Sequence, residues 1–136
     1  MFDTIHHVAI IGSDYQRSKH FYVDQLGFKV IRENYRPERD DYKIDLACGE
    51  AEIELFIIKT APKRPNYPEA QGLRHLAFKV ADVDATVKEL NQRGIETEPV
   101  RLDTFTGKKM TFFLDPDHLP LEIHEYRFRL FQSVIN

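Results

Sequence analysis

An α+β fold of two tandem βαβββ modules, forming a cupped mixed β-sheet, is what the sequence predicts, on three observations. Hydrophobic and turn signals run as strand, helix and three strands, twice over. A constant shift of 68 residues lays His7-Val8-Ala9-Ile10 on His75-Leu76-Ala77-Phe78, and Ile53-Glu54-Leu55 on Leu121-Glu122-Ile123. Between the halves, residues 60–72 carry Pro62, Pro65 and Pro68 among polar side chains, which suits a linker rather than a central strand or helix interior.

Taken in order, residues 4–11 are rich in β-branched side chains and stop at Gly12-Ser13, as a buried strand does. Ser13 or Asp14 can cap the helix that follows, and Ser18, Phe21, Tyr22 and Leu26 fall on one of its faces before Gly27 ends it. Strands are predicted over 28–35, 42–48 and 51–59, separated by Pro37-Glu38-Arg39-Asp40 and by Gly49-Glu50. After the linker, a strand over 73–80 precedes a helix capped by Asp82, with Val83, Val87 and Leu90 on one face and Gly94 closing it. Three more strands are expected at about 98–102, 109–114 and 119–126, with turns at Gly107 and Asp115-Pro116-Asp117. The chain thus reads as one domain, 1–136, with modules 1–59 and 73–126 joined by the linker.

Composition narrows the function classes. A chain of 136 residues, 42% hydrophobic and 30% charged, is long enough for one compact domain and too short for two ordinary independent ones. Nineteen basic against 22 acidic residues leave a net charge of −3, so no sequence-wide positive field exists to gather nucleic acid or anionic lipid. No apolar run approaches the length of a bilayer crossing, and Met1-Phe2-Asp3 opens without a basic segment and apolar core. A cytoplasmic protein is expected, with neither nucleic acid nor membrane as partner. Cys48 is the single cysteine, so an intrachain disulfide and a multi-thiolate zinc site are both excluded, and any metal must be held by His, Asp or Glu.

The shift conserves one His and one Glu per half, 47 residues apart in each. Strand alternation puts Val8 and Ile10 on one side and His7 and Ala9 on the other, and the second half repeats this with Leu76, Phe78, His75 and Ala77. Glu54 and Glu122 each sit between apolar neighbours by the same alternation, so all four ionisable groups are expected on the inner face of the sheet. A carboxylate among apolar neighbours is costly unless paired, protonated or bound to a metal. Two imidazoles and two carboxylates suit one divalent ion such as Zn²⁺, Ni²⁺, Co²⁺, Fe²⁺ or Mn²⁺, with positions left for water or substrate. That openness points to catalysis. A single strand His or Glu is more often hydrogen-bonded or exposed than a ligand; it is the repetition that carries the metal reading.

With these motifs in view the chain resembles the vicinal oxygen chelate superfamily, which includes glyoxalase I, bleomycin-resistance proteins, extradiol dioxygenases and fosfomycin-resistance transferases. The resemblance spans nearly the whole chain, through His7-Val8-Ala9-Ile10, Arg17-Ser18, Phe21-Tyr22, Leu26-Gly27-Phe28, Ile53-Glu54-Leu55, His75-Leu76-Ala77-Phe78, Phe113-Leu114-Asp115-Pro116-Asp117 and Leu121-Glu122-Ile123. It implies adjacent first and fourth strands in each module, and it is strongest to bacterial glyoxalase I. That likeness implies His7, Glu54, His75 and Glu122 as metal ligands, with two waters, and isomerisation of the hemithioacetal of methylglyoxal and a thiol. A ligand Glu moves the proton, Glu122 by first choice and Glu54 by second. It further implies a homodimer, its metal site lying within one chain or shared between two. Gly12 and Arg74 depart from the family pattern.

The remaining candidates are weaker. Alternation points His6 away from His7, as a surface residue. His124 shares the parity of Glu122 and is read as a rim residue, while His20 and His118 are expected to face solvent. Cys48 is read as a small buried residue rather than a nucleophile. Lys108, Lys109 and Arg74 are read either as steering groups for a small anionic substrate or as solvated charges, and the aromatic stretch 126–131 as a cover for the core or a subunit contact. The competing functions are a metal-dependent epimerase or thiol transferase, and a non-catalytic protein that sequesters a small molecule. An extradiol dioxygenase fits less well, since two His and one carboxylate suffice there.

Overall fold

A computed structural model describes residues 1–126. The elements run β1 (His7–Gly12), α1 (Tyr15–Lys19), a π-helical turn (His20–Gln25), β2 (Lys29–Arg36), β3 (Asp41–Cys48) and β4 (Ala51–Ile57). The order repeats as β5 (Leu76–Val80), α2 (Val83–Gln92), β6 (Arg101–Leu102), β7 (Lys109–Leu114) and β8 (Pro120–Glu125). Each half forms its own four-stranded mixed sheet, in the orders β1-β4-β3-β2 and β5-β8-β7-β6. The first and fourth strands of each sheet run parallel and the other pairs antiparallel. The tandem βαβββ architecture expected from the repeat is therefore present. The described chain falls into two compact units, Met1–Arg64 with Asp115–His118, and Pro65–Leu114 with the residues from Leu119 onward.

Several elements end where the physical chemistry of the partner strand requires it. β4 stops at Ile57, short of the expected residue 59, because its partner β1 ends at Gly12, whose carbonyl accepts the last inter-strand bond from Ile58 N. β6 is two residues long rather than five. Glu98 still donates to the Phe112 carbonyl, but Pro99 has no N–H to continue the ladder. The first helix is not a uniform α-helix. After Lys19 it widens into the π-helical turn, closed by Leu26 N donating to Phe21 O at 2.9 Å, before Gly27 turns with φ +84°.

In the first unit, Ile10, Ile44, Leu46, Ile53, Leu55 and Ile57 form the buried face of the sheet, and Ser18, Phe21 and Tyr22 are buried on the helical segment. Gly12 has a steric reason. A Cβ there would stand 2.5 Å from Ser18 Oγ and 3.4 Å from Asp117 Oδ2, so the strand end and the helix approach only without a side chain. The turn 115–118 is fully engaged within this unit. Tyr22 Oη donates to Asp115 Oδ2 at 2.7 Å, Ser13 donates to Asp117 through both its N–H and its hydroxyl, and Arg17 donates to the Pro116 carbonyl at 2.9 Å. Burial, reinforced by the Asp115 carboxylate, pushes the Tyr22 phenol far up, so it stays a donor.

In the second unit, Phe113, Leu121, Ile123, Val83 and Leu90 are buried. Asp82 caps α2 by accepting from Ala85 N at 3.0 Å. The first helical amide, Val83 N, donates at 3.0 Å to Glu125, which accounts for a carboxylate only 3% exposed. No helix among the described residues is long and apolar enough to cross a membrane. Of the aromatic stretch at the C-terminus, residues 127–131 lie outside the described residues.

Two substitutions test this packing. Gly12→Ala is expected to lower stability by about 1–3 kcal/mol through overpacking, with part of the loss recovered by adding Ser18→Ala. Tyr22→Phe is expected to cost about 1–3 kcal/mol, because it withdraws a donor from a buried carboxylate. Urea unfolding of the variants reads both, and unchanged midpoints would contradict the packing described.

Candidate metal centre

Backbone register places the four predicted ligands. β1 pairs Ala9 with Glu54, and β5 pairs Ala77 with Glu122, so the 68-residue shift holds in the ladder as well as in the sequence. Registered partners share a face. In the first sheet that face carries His7, Ala9 and Glu54, opposite the buried Ile53 and Leu55. The second sheet repeats the arrangement with Ala77 and Glu122 opposite Leu121 and Ile123, and His75 immediately precedes β5.

Each His meets the Glu of its own half. His7 Nδ1 stands 3.5 Å from Glu54 Oε2, and His75 Nε2 stands 3.0 Å from Glu122 Oε1. Among the described residues no group of three or more His, Cys, Asp or Glu side chains is gathered to hold a metal ion, so a His–Glu pair is what each unit presents. The pairs differ in their surroundings. Glu122 is 6% exposed and in register with Phe112, whose ring meets the His75 ring edge-on at 5.0 Å. Glu54 instead borders a cation, with Lys43 Nζ 3.6 Å from its Oε1.

That cation belongs to a charged network that sequence reasoning missed. Asp45, registered opposite Glu54 on β3, is 0% exposed. Lys43 Nζ donates to its two oxygens at 2.8 and 3.1 Å, and Arg32 Nε approaches it to 2.6 Å. Arg32 also donates to Glu52 at 2.8 Å. A bulge in β2 at Ile31 brings this about. Val30 pairs with Leu46, but the register then slips so that Arg32, not Ile31, faces Asp45. The alternation Tyr42-Lys43-Ile44-Asp45-Leu46 was a readable signal that Lys43 and Asp45 share a face with Glu54. The bulge left no such signal.

His6 does not point away from His7. It precedes the strand, where alternation does not apply, and its Nδ1 lies 2.9 Å from His7 Nδ1. His124 donates from Nδ1 to the Glu125 carbonyl at 2.8 Å and places Nε2 3.2 Å from Asp103. Burial opposes its protonation, yet the Glu125 carbonyl and the Asp103 carboxylate raise its pKa overall. His20 is exposed and paired with Asp24. Cys48 is half-buried and burial pushes its thiol up, in keeping with a packing residue. Lys109 pairs with Asp84 and Arg74 with Glu69, so both cations are engaged locally.

Comparison with known proteins agrees with this architecture. A sequence profile of the Glyoxalase/Bleomycin resistance protein/Dioxygenase superfamily matches residues 4–123. The chain is 58% identical over 123 residues to the uncharacterized protein YwkD of Bacillus subtilis (strain 168), covering 90% of this chain and 96% of that one. The crystal structure of a glyoxalase family protein from Enterococcus faecalis is 62% identical, with a TM-score of 0.88, over 91% of this chain and 98% of that chain. The trypanothione-dependent glyoxalase I of Leishmania major, 24% identical, shares the fold with a TM-score of 0.69 over 98% of this chain and 94% of that one.

Proposed function

The chain belongs to the Glyoxalase/Bleomycin resistance protein/Dioxygenase superfamily, and on that premise we propose that it is a metal-dependent lyase or isomerase of the glyoxalase I type. Its substrate in this reading is a small vicinal-oxygen compound such as the hemithioacetal of methylglyoxal. One observation carries the reading: a His–Glu pair recurs at the same register in both sheets, at 3.5 and 3.0 Å.

In this reading His7, Glu54, His75 and Glu122 would hold one divalent ion, the two pairs coming from the two modules of one chain or from modules of two chains in a homodimer. The donor set fits such an ion. Two imidazoles and two carboxylates without a thiolate suit Zn²⁺, Ni²⁺, Co²⁺, Fe²⁺ or Mn²⁺, and four protein donors would leave positions for water or substrate. When bound, the ion supplies Lewis acidity toward the vicinal oxygens of the substrate.

Proton transfer falls to the carboxylates. Glu122 is the first choice as base and Glu54 the second, and the surroundings support that order. The Glu122 carboxylate is buried, with His75 and Phe112 as neighbours, which excludes water from the proton it takes from one carbon and returns to the next. Glu54 instead lies in charged surroundings, between His7 and a lysine that is hydrogen-bonded to Asp45.

The test is turnover of methylglyoxal with a panel of thiols by protein loaded with each metal, alongside Glu122→Gln. Wild-type protein is expected to bind about one ion per site and to turn over at least one hemithioacetal. Glu122→Gln should lose on the order of 100-fold or more in rate while remaining folded, the scale of a general base. Wild-type rates in the variant would remove Glu122 from the base role, and failure of every thiol and metal would reject the activity. A second prediction concerns metal removal. Chelator treatment is expected to abolish turnover and readdition of the ion to restore it, and activity indifferent to chelator would contradict the reading.

A further inference from the structure

Asp45 is a fully buried carboxylate for which the proposed chemistry has no use, and its position is specific to one half of the chain. In the first sheet Asp45 is registered opposite Glu54, and Lys43 opposite Phe56. In the second sheet the equivalent places hold Phe112, opposite Glu122, and Met110, opposite His124. The fold therefore accepts apolar side chains at both places. A buried carboxylate costs more than a phenyl ring unless its partners compensate, so its presence beside Glu54 calls for a reason.

The distances supply one. Lys43 Nζ is hydrogen-bonded to both Asp45 oxygens, at 2.8 and 3.1 Å, and is 3.6 Å from Glu54 Oε1, beyond hydrogen-bonding range. An ammonium that closed on Glu54 would occupy the lone pairs a metal needs and would set a positive charge beside the ion. Asp45 instead engages the ammonium through both oxygens and carries the opposite charge. Arg32 keeps Asp45 in place from the other side and is itself held by Glu52.

We propose that Asp45 is a positioning residue that retains Lys43 and so keeps the Glu54 carboxylate available to a divalent cation. This rests on the metal reading above, and only the half of the site that contains a lysine requires such a residue.

A double-mutant cycle tests it, with Co²⁺ alone as the probe, its affinity read by competition with a chromophoric chelator and its ligand field by visible absorption. Asp45→Asn is expected to weaken Co²⁺ binding about 10- to 100-fold, the usual scale for a residue supporting a ligand. Lys43→Met, which leaves Asp45 paired with Arg32, is expected to bind Co²⁺ at least as tightly as wild type. Combining the two should recover most of the affinity and the wild-type spectrum, which a purely structural loss at Asp45 would not allow. Wild-type affinity in Asp45→Asn, or a loss that persists in the double variant, would overturn the proposal. Should Asp45→Asn fail to fold, weakened binding in Lys43→Met overturns it equally. Wild-type protein that takes up no Co²⁺ would reject both this inference and the metal reading, whereas uptake with an unaffected Asp45→Asn would reject this inference alone.

Discussion

Parallel pairing of the first and fourth strands in each module is the constraint on which the rest depends. A parallel neighbour cannot be reached by a tight hairpin, so each module must send its chain through a helix and two further strands before β4 or β8 returns beside β1 or β5. That return fixes which residues meet across the ladder. With Ala9 opposite Glu54 and Ala77 opposite Glu122, the small side chain leaves space beside the carboxylate, and the His two positions earlier can lean toward it. A slip of one residue would turn either Glu into the apolar side of its sheet, where Ile53 and Leu55, or Leu121 and Ile123, are packed. Burial of those four residues thus holds the ionisable pairs in place.

The two sheets match in register and differ around their carboxylates. The first sheet surrounds Glu54 with charge, in the sequence Arg32, Asp45, Lys43, and it uses the β2 bulge to bring Arg32 to the right face. The second sheet surrounds Glu122 with Phe112 and the His75 ring. Two carboxylates related by one shift therefore occupy unlike environments, which is how one pattern of residues can yield a fixed ligand and a proton carrier. The difference in surroundings is a property of the fold.

Much of this was legible in the sequence because the signals were periodic. Alternation in Ile53-Glu54-Leu55 and Leu121-Glu122-Ile123 marked both carboxylates, and the shift marked both histidines. Asp14 and Asp82 cap the helices as their side chains predict. What escaped depended on contacts remote in sequence or on departures from regular periodicity. Gly12 is explained only by Ser18 lying against it, and β6 was shortened by Pro99. Ile31 gives no local sign of the bulge that reorients Arg32. His6 is exposed, as expected, but it turns toward His7 because alternation does not reach one residue beyond the strand that enforces it.

The proposed centre requires that the two recurring His–Glu pairs serve a single ion. An anomalous-scattering map from crystals grown with Co²⁺, collected at the cobalt edge, tests it most directly. One strong peak is expected within coordination distance of His7, Glu54, His75 and Glu122, drawn from one chain or from two. A peak touching only one pair, or one lodged against other residues, would contradict it.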